Sequence, residues 1–200
     1  MTHLLSRRSF FASAIVFGTA ALAPLKAFAL SNSQAETLVD RAVNDINAVI
    51  SSGRSEASMI RSFEGIFRDY GDTAYIAAFA LGNDRRSASS TQIRTFTEAF
   101  NGYIARKYGR RFREFAGGQI VVQGASNVSN YIEVQTLTTL RNKAPFRVDF
   151  HVSDRPGHPV FFNIIIEGVN MLLSERTEIG AMLDRRGGDI DALISDLRNV

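Results

Sequence analysis

Few residues in this 200-residue chain could do chemistry, and two histidines are the first candidates. His151 lies between Asp149 and Asp154, and His158 follows in a Pro-Gly-rich stretch. An imidazole beside carboxylates could hold a metal ion or act as a general base. No further ligand follows at the spacing of a metal motif. The simpler interpretation is a solvent-facing strand histidine at position 151 and a turn histidine at position 158.

Motifs of the common enzyme classes are missing from the sequence. There is no G-x-S-x-G, no P-loop and no G-x-G-x-x-G between a strand and a helix. Glu167 is a single carboxylate beside Gly168, which is not a catalytic pair. The residues therefore give no argument for an enzyme and imply no cofactor.

A basic cluster is the other candidate for binding. It lies late in a predicted helix and consists of Arg106, Lys107, Arg110, Arg111 and Arg113. Three of these share one helical face and could contact lipid phosphates or an acidic partner. The simpler interpretation is a solvated helix end, where cations match the helix dipole.

The first 29 residues have the pattern of an export signal. Arg7 and Arg8 precede an apolar stretch that runs to about Leu25, and Ala27-Phe28-Ala29 follows as a cleavage site. The arginine pair favours the twin-arginine form. We therefore divide the chain into a signal at 1–29 and a domain at 30–200.

Removal of this segment changes the charge balance. Arg7, Arg8 and Lys26 are its charged residues, so the 23 basic residues become 20, equal to the 20 acidic ones. A neutral domain is not expected to bind nucleic acid. The chain has no cysteine, so burial of apolar surface has to stabilise it.

The spacing of apolar residues predicts helices first and strands second. Helices are expected at about 33–52, 56–70, 72–81 and 91–115, with Ser33 and Glu36 capping the first. Period-two alternation then predicts strands near 120–122, 132–134, 146–152 and 160–166. The last is apolar on both faces and should lie centrally in the sheet. Short helices follow at about 174–185 and 189–197.

Segregated helices and strands indicate an α+β fold with a curved antiparallel four-stranded sheet packed on helices. Fifteen phenylalanines and no tryptophan accompany this pattern. The apolar positions fall on the inner sides of helices and sheet, so the chain predicts a large apolar interior.

Three blocks of sequence resemble the MlaC family of periplasmic phospholipid-binding proteins, also called toluene-tolerance proteins. The first is FRDYGDTAYIAAFALG, 67–82, and the second is the helix TQIRTFTEAFNGYIARKYGRRFREFAG, 91–117. The third is NIIIEGVN, 163–170, followed by Arg176. Asn163 departs from the aspartate usual in the family.

This resemblance implies a carrier that encloses acyl chains and shuttles a phospholipid through the periplasm. Its implied partners are the substrate-binding subunit of an inner-membrane ABC lipid transporter and an outer-membrane lipoprotein complex. The implied fold is related to the NTF2-like or cystatin-like class, with helices closing an apolar pocket.

Resemblance and alternation together give a set of expected site residues. Alternation places Phe162, Ile164 and Ile166 in the pocket, and Glu167 and Arg176 are expected at its rim. A one-residue slip of register would exchange the first three for Phe161 and Ile165. The complete lipid-binding set is Phe67, Ile76, Phe96, Phe100, Tyr103, Tyr108, Val134, Val148, Phe150, Phe162, Ile164, Ile166, Val169 and Met171.

Two other functions stay open at the level of sequence. One is an enzyme with a small NTF2-like pocket and His151 or Glu167 as its base. The other is a periplasmic adaptor without a lipid ligand, whose apolar interior is simply a core. A solid interior would favour the adaptor, and a deep dry cavity would favour the carrier.

Overall fold

The computed structural model describes residues 30–110, 118–141 and 143–200 as an α+β fold. Its helices are α1 (Asn32–Ser51), α2 (Glu56–Tyr70), α3 (Thr73–Leu81), α4 (Ser90–Gly109), α5 (Met171–Arg185) and α6 (Ile190–Asn199), with a 3₁₀ turn at Gly82–Arg86. Its strands are β1 (Gln119–Val128), β2 (Tyr131–Thr139), β3 (Phe146–Ser153), β4 (Val160–Ile166) and β5 (Val169–Asn170). The predicted fold class is confirmed. The predicted extension of α4 to residue 115 lies outside the described residues.

The sheet has five antiparallel strands in the order β1-β2-β3-β4-β5, so the prediction of four strands was wrong. The additional strand is only two residues long and pairs Val169 with Ile166. Between them, Glu167 and Gly168 have φ angles of 49° and 81°. Positive φ at both central residues is what a two-residue type I′ hairpin requires. The I-E-G-V block therefore encodes a tight turn.

Strand β4 does not lie centrally, as its sequence had suggested. Its outer edge pairs with β5 only at Ile165 and Ile166. Further along, Gly71 forms a parallel bridge with Phe161, and the Asp72 amide donates a hydrogen bond to the Phe161 carbonyl at 2.8 Å. The end of α2 and the start of α3 therefore close this edge in place of a neighbouring strand.

A β-bulge divides the apolar residues of β4 between the two faces of the sheet. His151 pairs with Asn163 and Val152 with Phe161, so Phe162 is the extra residue. The Phe161 ring contacts Phe150 at a centroid distance of 5.7 Å, whereas the Phe162 ring contacts His151 at 5.9 Å. The expectation that Phe162, Ile164 and Ile166 share one face was therefore wrong for Phe162, because a bulge breaks strict alternation.

Helix α1 covers the free edge of the sheet. It begins with a capping box of Ser31 and Gln34, two residues before the predicted cap at Ser33. The Asn32 side chain donates to the Ala125 carbonyl at 3.1 Å, and the Asn47 side chain donates to the Ile120 carbonyl at 3.2 Å. Covered edges resist pairing with other chains.

Helix α5 begins at Met171, three residues before the predicted start. Asn170 is its N-cap and accepts a hydrogen bond from the Leu173 amide at 3.1 Å. Helix α6 begins after Asp189 as predicted. Among the helices of the described residues, none is long and apolar enough to cross a membrane.

Gly71 is predicted to be essential for the junction between α2 and β4. A Cβ atom there would lie 2.6 Å from the Phe67 carbonyl oxygen and 3.1 Å from the Phe161 ring. We expect Gly71→Ala to reduce the free energy of unfolding by about 1–3 kcal/mol, because the backbone would have to shift. Urea denaturation measures this change.

Gly65→Ala is the matched control. Gly65 lies within α2, and among the described residues no atom outside the nearby backbone of its own helix lies within 4 Å of an added Cβ. This substitution should stabilise the protein by about 0.5–1 kcal/mol through helix propensity. Similar losses in both variants would contradict the steric explanation.

Candidate functional site

Apart from Phe162, the predicted site residues on β2, β3 and β4 form a continuous apolar surface on one face of the sheet, called here the inner face. Val134 on β2 pairs with Phe150 on β3, and Phe150 pairs with Ile164 on β4. The next inner-face position on β3 is Val148, which pairs with Ile166. Val134 and Phe150 are buried, whereas Ile164 and Ile166 are half-buried.

The predicted residues on the helices pack into the same hydrophobic cluster. Phe96 and Phe100 of α4 are buried and stacked, with ring centroids 5.7 Å apart, and Ile76 of α3 is buried with them. Phe67 of α2 is half-buried and contacts the Phe161 ring at 6.0 Å. The fold therefore brings the helical and strand residues together in one interior.

This interior approaches the surface at one end of the sheet. On the inner face of β3, Val152, Phe150 and Val148 are buried, but Phe146 is half-buried. Exposure also increases along the inner face of β4, from buried Phe161 to half-buried Ile166. We call this end, where β3 begins and β4 ends, the open end of the sheet.

Neither of the two pockets found among the described residues is an interior slot of the predicted kind. One surface pocket, of about 190 Å³, is lined by Tyr103, Arg106, Lys107, Arg110, Glu178 and Val200. A second, of about 340 Å³, lies between α1 and the turn that contains His158 and Pro159. Ligand pockets commonly measure about 300–1,000 Å³, and a two-tailed lipid needs the upper part of that range. Of the predicted lipid-binding residues, only Tyr103 lines either of these two pockets.

Tyr103 and Tyr108 have polar roles in addition to their apolar contacts. The Tyr103 hydroxyl donates a hydrogen bond to Glu178, and the Tyr108 hydroxyl donates one to Glu175. Lys107 lies between them, with its Nζ atom 2.8 Å from Glu175 and 2.5 Å from Glu178. These five side chains, which we call the α4–α5 polar cluster, join the two helices.

Burial and ion pairing shift the pKa values in this cluster. Burial raises the pKa of Tyr103, and its hydrogen bond to Glu178 acts in the same direction. Burial disfavours the charged form of Lys107, but its hydrogen bonds to Glu175 and Glu178 outweigh this and raise its pKa. Tyr103 and Lys107 therefore hold their protons at neutral pH, and the ion pairs persist.

Two of the three described basic residues in this part of the chain, Arg106 and Lys107, connect α4 to other helices. Arg106 donates to the Leu197 carbonyl and, at 2.8 Å, to the Val200 carbonyl, so it caps the end of α6. Lys107 belongs to the polar cluster, and Arg110 is exposed. Arg111 and Arg113 lie outside the described residues.

Of the two expected rim residues, Glu167 lies in the β4–β5 turn and Arg176 lies on α5. Glu167 is exposed in the turn itself, and Val169 is exposed on β5. Met171 is half-buried at the start of α5. The Arg176 guanidinium lies over the Phe79 ring at 5.1 Å from its centroid, so it connects α5 to α3.

His151 is buried, so the expectation of a solvent-facing histidine was wrong. Its ring stacks on Tyr131 with centroids 4.4 Å apart, on the outer face of the sheet. Nδ1 lies 3.3 Å from the Asn163 amide nitrogen, and Nε2 lies 3.5 Å from Glu133. Burial lowers the pKa of His151, and the nearby Glu133 opposes this only in part. His158 is exposed in its turn, as predicted.

The arrangement does not place the two proposed bases in one site. The Glu167 amide donates a hydrogen bond to the Arg147 carbonyl. His151 lies four residues after Arg147 on β3, roughly 13 Å from it along the strand. Within the described part of the chain, no group of three histidine, aspartate or glutamate side chains could hold a metal ion.

Asn163 is a structural residue whose role the sequence did not reveal. Its buried Oδ1 accepts hydrogen bonds from the Ile164 amide at 2.9 Å and from the Leu172 amide at 3.1 Å. It thereby fastens the first turn of α5 to β4. Its polarity within an apolar strand was the available signal, since a buried amide needs partners.

Comparison with known proteins identifies the family. The model of the MlaC protein family matches residues 36–199. The chain belongs to the MlaC family. A solved structure of a phospholipid-binding protein from Ralstonia solanacearum, in complex with a phospholipid, has the same fold. It superimposes with a TM-score of 0.71 at 17% sequence identity, over 83% of this chain and 96% of that one.

The family match spans nearly the whole domain. It includes the inner face of the sheet, the helices that cover it and the I-E-G-V turn.

The α4–α5 polar cluster is predicted to be important for stability. Lys107→Met would leave Glu175, which is only 3% exposed, without its cation. We expect a loss of about 2–3 kcal/mol in the free energy of unfolding, since Lys107 is partly exposed and fully buried pairs cost more to break. Chemical denaturation measures the loss.

Arg186→Met provides the control for this experiment. It removes an equally close ion pair, 2.6 Å from Asp196, but on an exposed surface. Surface pairs contribute little, so this variant should change stability far less. Equal losses would show that burial of Glu175 is not the cause.

Asn163→Asp should raise the pKa of His151. Burial lowers the pKa of the His151 ring in the wild-type folded protein below its ordinary value of 6.5. The unfolded chain therefore binds the proton more readily, and the folded protein should lose stability as the pH falls from 6.5 towards the lowered pKa. A carboxylate in place of the amide 3.3 Å away favours the charged ring. NMR titration of the ring protons measures the pKa. The same change at Asn170, the α5 N-cap, is the control, and an unchanged pKa in Asn163→Asp would contradict the assigned contact.

Proposed function

We propose that this MlaC family member is a periplasmic carrier that binds a phospholipid by enclosing its acyl chains. The observation that carries the proposal is the apolar interior, which continues from buried Val134 and Phe150 to half-buried Ile166 at the open end. The family, and the fold shared with a phospholipid-bound protein, support the identity of the ligand.

The energetics of acyl chains explain why enclosure is necessary. Each methylene moved out of water contributes about 0.8 kcal/mol. Two chains of about fourteen methylenes would therefore cost near 20 kcal/mol if left in water. A carrier has to cover the tails along their length and leave the charged head group in solvent.

We propose that binding includes a separation of layers, because predicted lining residues of the helices and the sheet contact one another. Tails would take the place of contacts between the inner face and the helices. Helix α2 would lose little buried surface in such a movement, because Met59 is the only one of its 15 residues that is buried. Phe67 would then exchange its contact with Phe161 for a contact with the lipid.

The sequence of the first 29 residues supports transport in the periplasm. We propose that they are an export signal of the twin-arginine type and are removed from the domain at 30–200. The carrier would receive and deliver lipid at an inner-membrane ABC transporter subunit and an outer-membrane lipoprotein complex, as the family resemblance implies. No cofactor enters this function.

A second candidate is a periplasmic adaptor that binds no lipid. The contacts between sheet and helices favour it, since many of the predicted lining residues belong to one hydrophobic cluster. Family membership favours the carrier. The two functions differ in one measurable property, the presence of a stoichiometric lipid.

Lipid content is the decisive test. The domain at 30–200, purified from a Gram-negative host and extracted with organic solvent, should release phospholipid in near-stoichiometric amount, as measured by mass spectrometry. Val148→Arg and Ile164→Arg should abolish loading, because each places a charge against the tails.

Val121→Arg is the matched control, since Val121 is exposed on the outer face of β1. It should keep its lipid, and circular dichroism should show all three variants folded. Absence of lipid from the wild type, together with no uptake of added lipid, would favour the adaptor. Lipid retained in folded Val148→Arg would overturn the assignment of the inner face.

A further inference from the structure

The inner face of β2 changes from apolar to polar along its length. Ile132, Val134, Thr136 and Thr138 alternate inward, and the two threonines are 1% and 0% exposed. Their neighbours on the adjacent strands are apolar: Val122 and Val148 flank Thr136, and Ile120 and Phe146 flank Thr138. Two hydroxyl groups are therefore buried within an otherwise hydrocarbon surface.

Only one of these hydroxyls has a partner among the described residues. The Thr136 hydroxyl donates a hydrogen bond to the Val148 carbonyl across the strand, at 2.7 Å. The Thr138 hydroxyl stands in the same relation to Phe146 but makes no hydrogen bond. An unsatisfied buried hydroxyl is unfavourable, and native proteins usually provide such a group with a partner.

The position of Thr138 indicates which partner it serves. It pairs with Phe146 at the open end of the sheet, where Phe146 and Ile166 are half-buried. Val134, in the fully buried part, is four residues away along the strand, roughly 13 Å. The polarity of a phospholipid increases in the same order, from the acyl chains to the ester carbonyls and then to the head group.

We infer that the Thr138 hydroxyl donates a hydrogen bond to an acyl ester carbonyl of the bound phospholipid. This inference rests on the proposed function, and it adds a specificity for ester-linked lipids. Acyl chains would lie against Val134 and Ile132, and the ester group would lie at Thr138. The carbonyl, which would otherwise be desolvated without a donor, fixes how deeply the lipid enters.

The test compares two lipids and two variants. The probes are dioleoyl phosphatidylglycerol and its diether analogue, which has the same tails and head group but no carbonyl. Delipidated wild-type protein should bind the ester about threefold to tenfold more tightly, the value of one hydrogen bond. Thr138→Val, which has nearly the same shape, should bind both lipids equally.

Thr136→Val is the matched control, because the Thr136 hydroxyl already donates a hydrogen bond within the protein, to the Val148 carbonyl. It should keep the preference for the ester and lower the urea midpoint of the lipid-free protein, whereas Thr138→Val should not lower that midpoint. Thr138→Ser, which retains the hydroxyl, should keep the preference even if the smaller side chain reduces stability.

The remaining outcomes distinguish a failure of the role proposed for Thr138 from a failure of the proposed carrier function. Equal binding of ester and ether by the wild type, or a preference retained in Thr138→Val, overturns the role of Thr138 and leaves the carrier function standing. Failure of the wild type to bind either lipid overturns both.

Discussion

The packing of the inner face of the sheet against the helices is the interaction on which the rest of this structure depends. The chain has no disulfide, and burial of Val134, Phe150, Phe96 and Phe100 in one cluster supplies its stability. The same surface is the one that a lipid would occupy. A carrier of this kind has to be stable with its own side chains in contact, yet able to exchange those contacts for acyl chains of similar polarity.

Polar interactions fix the walls around that exchangeable interior. The α4–α5 polar cluster joins two helices through Lys107 and Glu175, and Asn163 holds α5 to β4. These contacts are directional and buried, so they resist sliding more than apolar contacts do. Helix α2 lacks comparable burial and meets the sheet chiefly through Phe67 and the Gly71 bridge. Rigidity and freedom to move are thus assigned to different elements.

The most specific sequence block of the family encodes geometry. Glu167 and Gly168 adopt the positive φ angles of a tight hairpin, and Glu167 is exposed. The turn reverses the chain so that α5 starts directly after β5 and covers the edge of β4. Few residues tolerate positive φ, so backbone geometry constrains the sequence of this turn. It says little about which ligand the interior accepts.

The sequence by itself determined the α+β class, the positions of most helices and strands, and the apolar character of the interior, because these follow from local periodicity. It placed Val134, Val148 and Phe150 correctly on the inner face. Only the tertiary structure decided that a bulge turns Phe162 to the outer face, that His151 is buried against Tyr131, and that the Thr138 hydroxyl has no hydrogen-bond partner among the described residues. Those outcomes depend on residues distant in sequence, and strand register and edge closure are set by contacts that no local pattern contains.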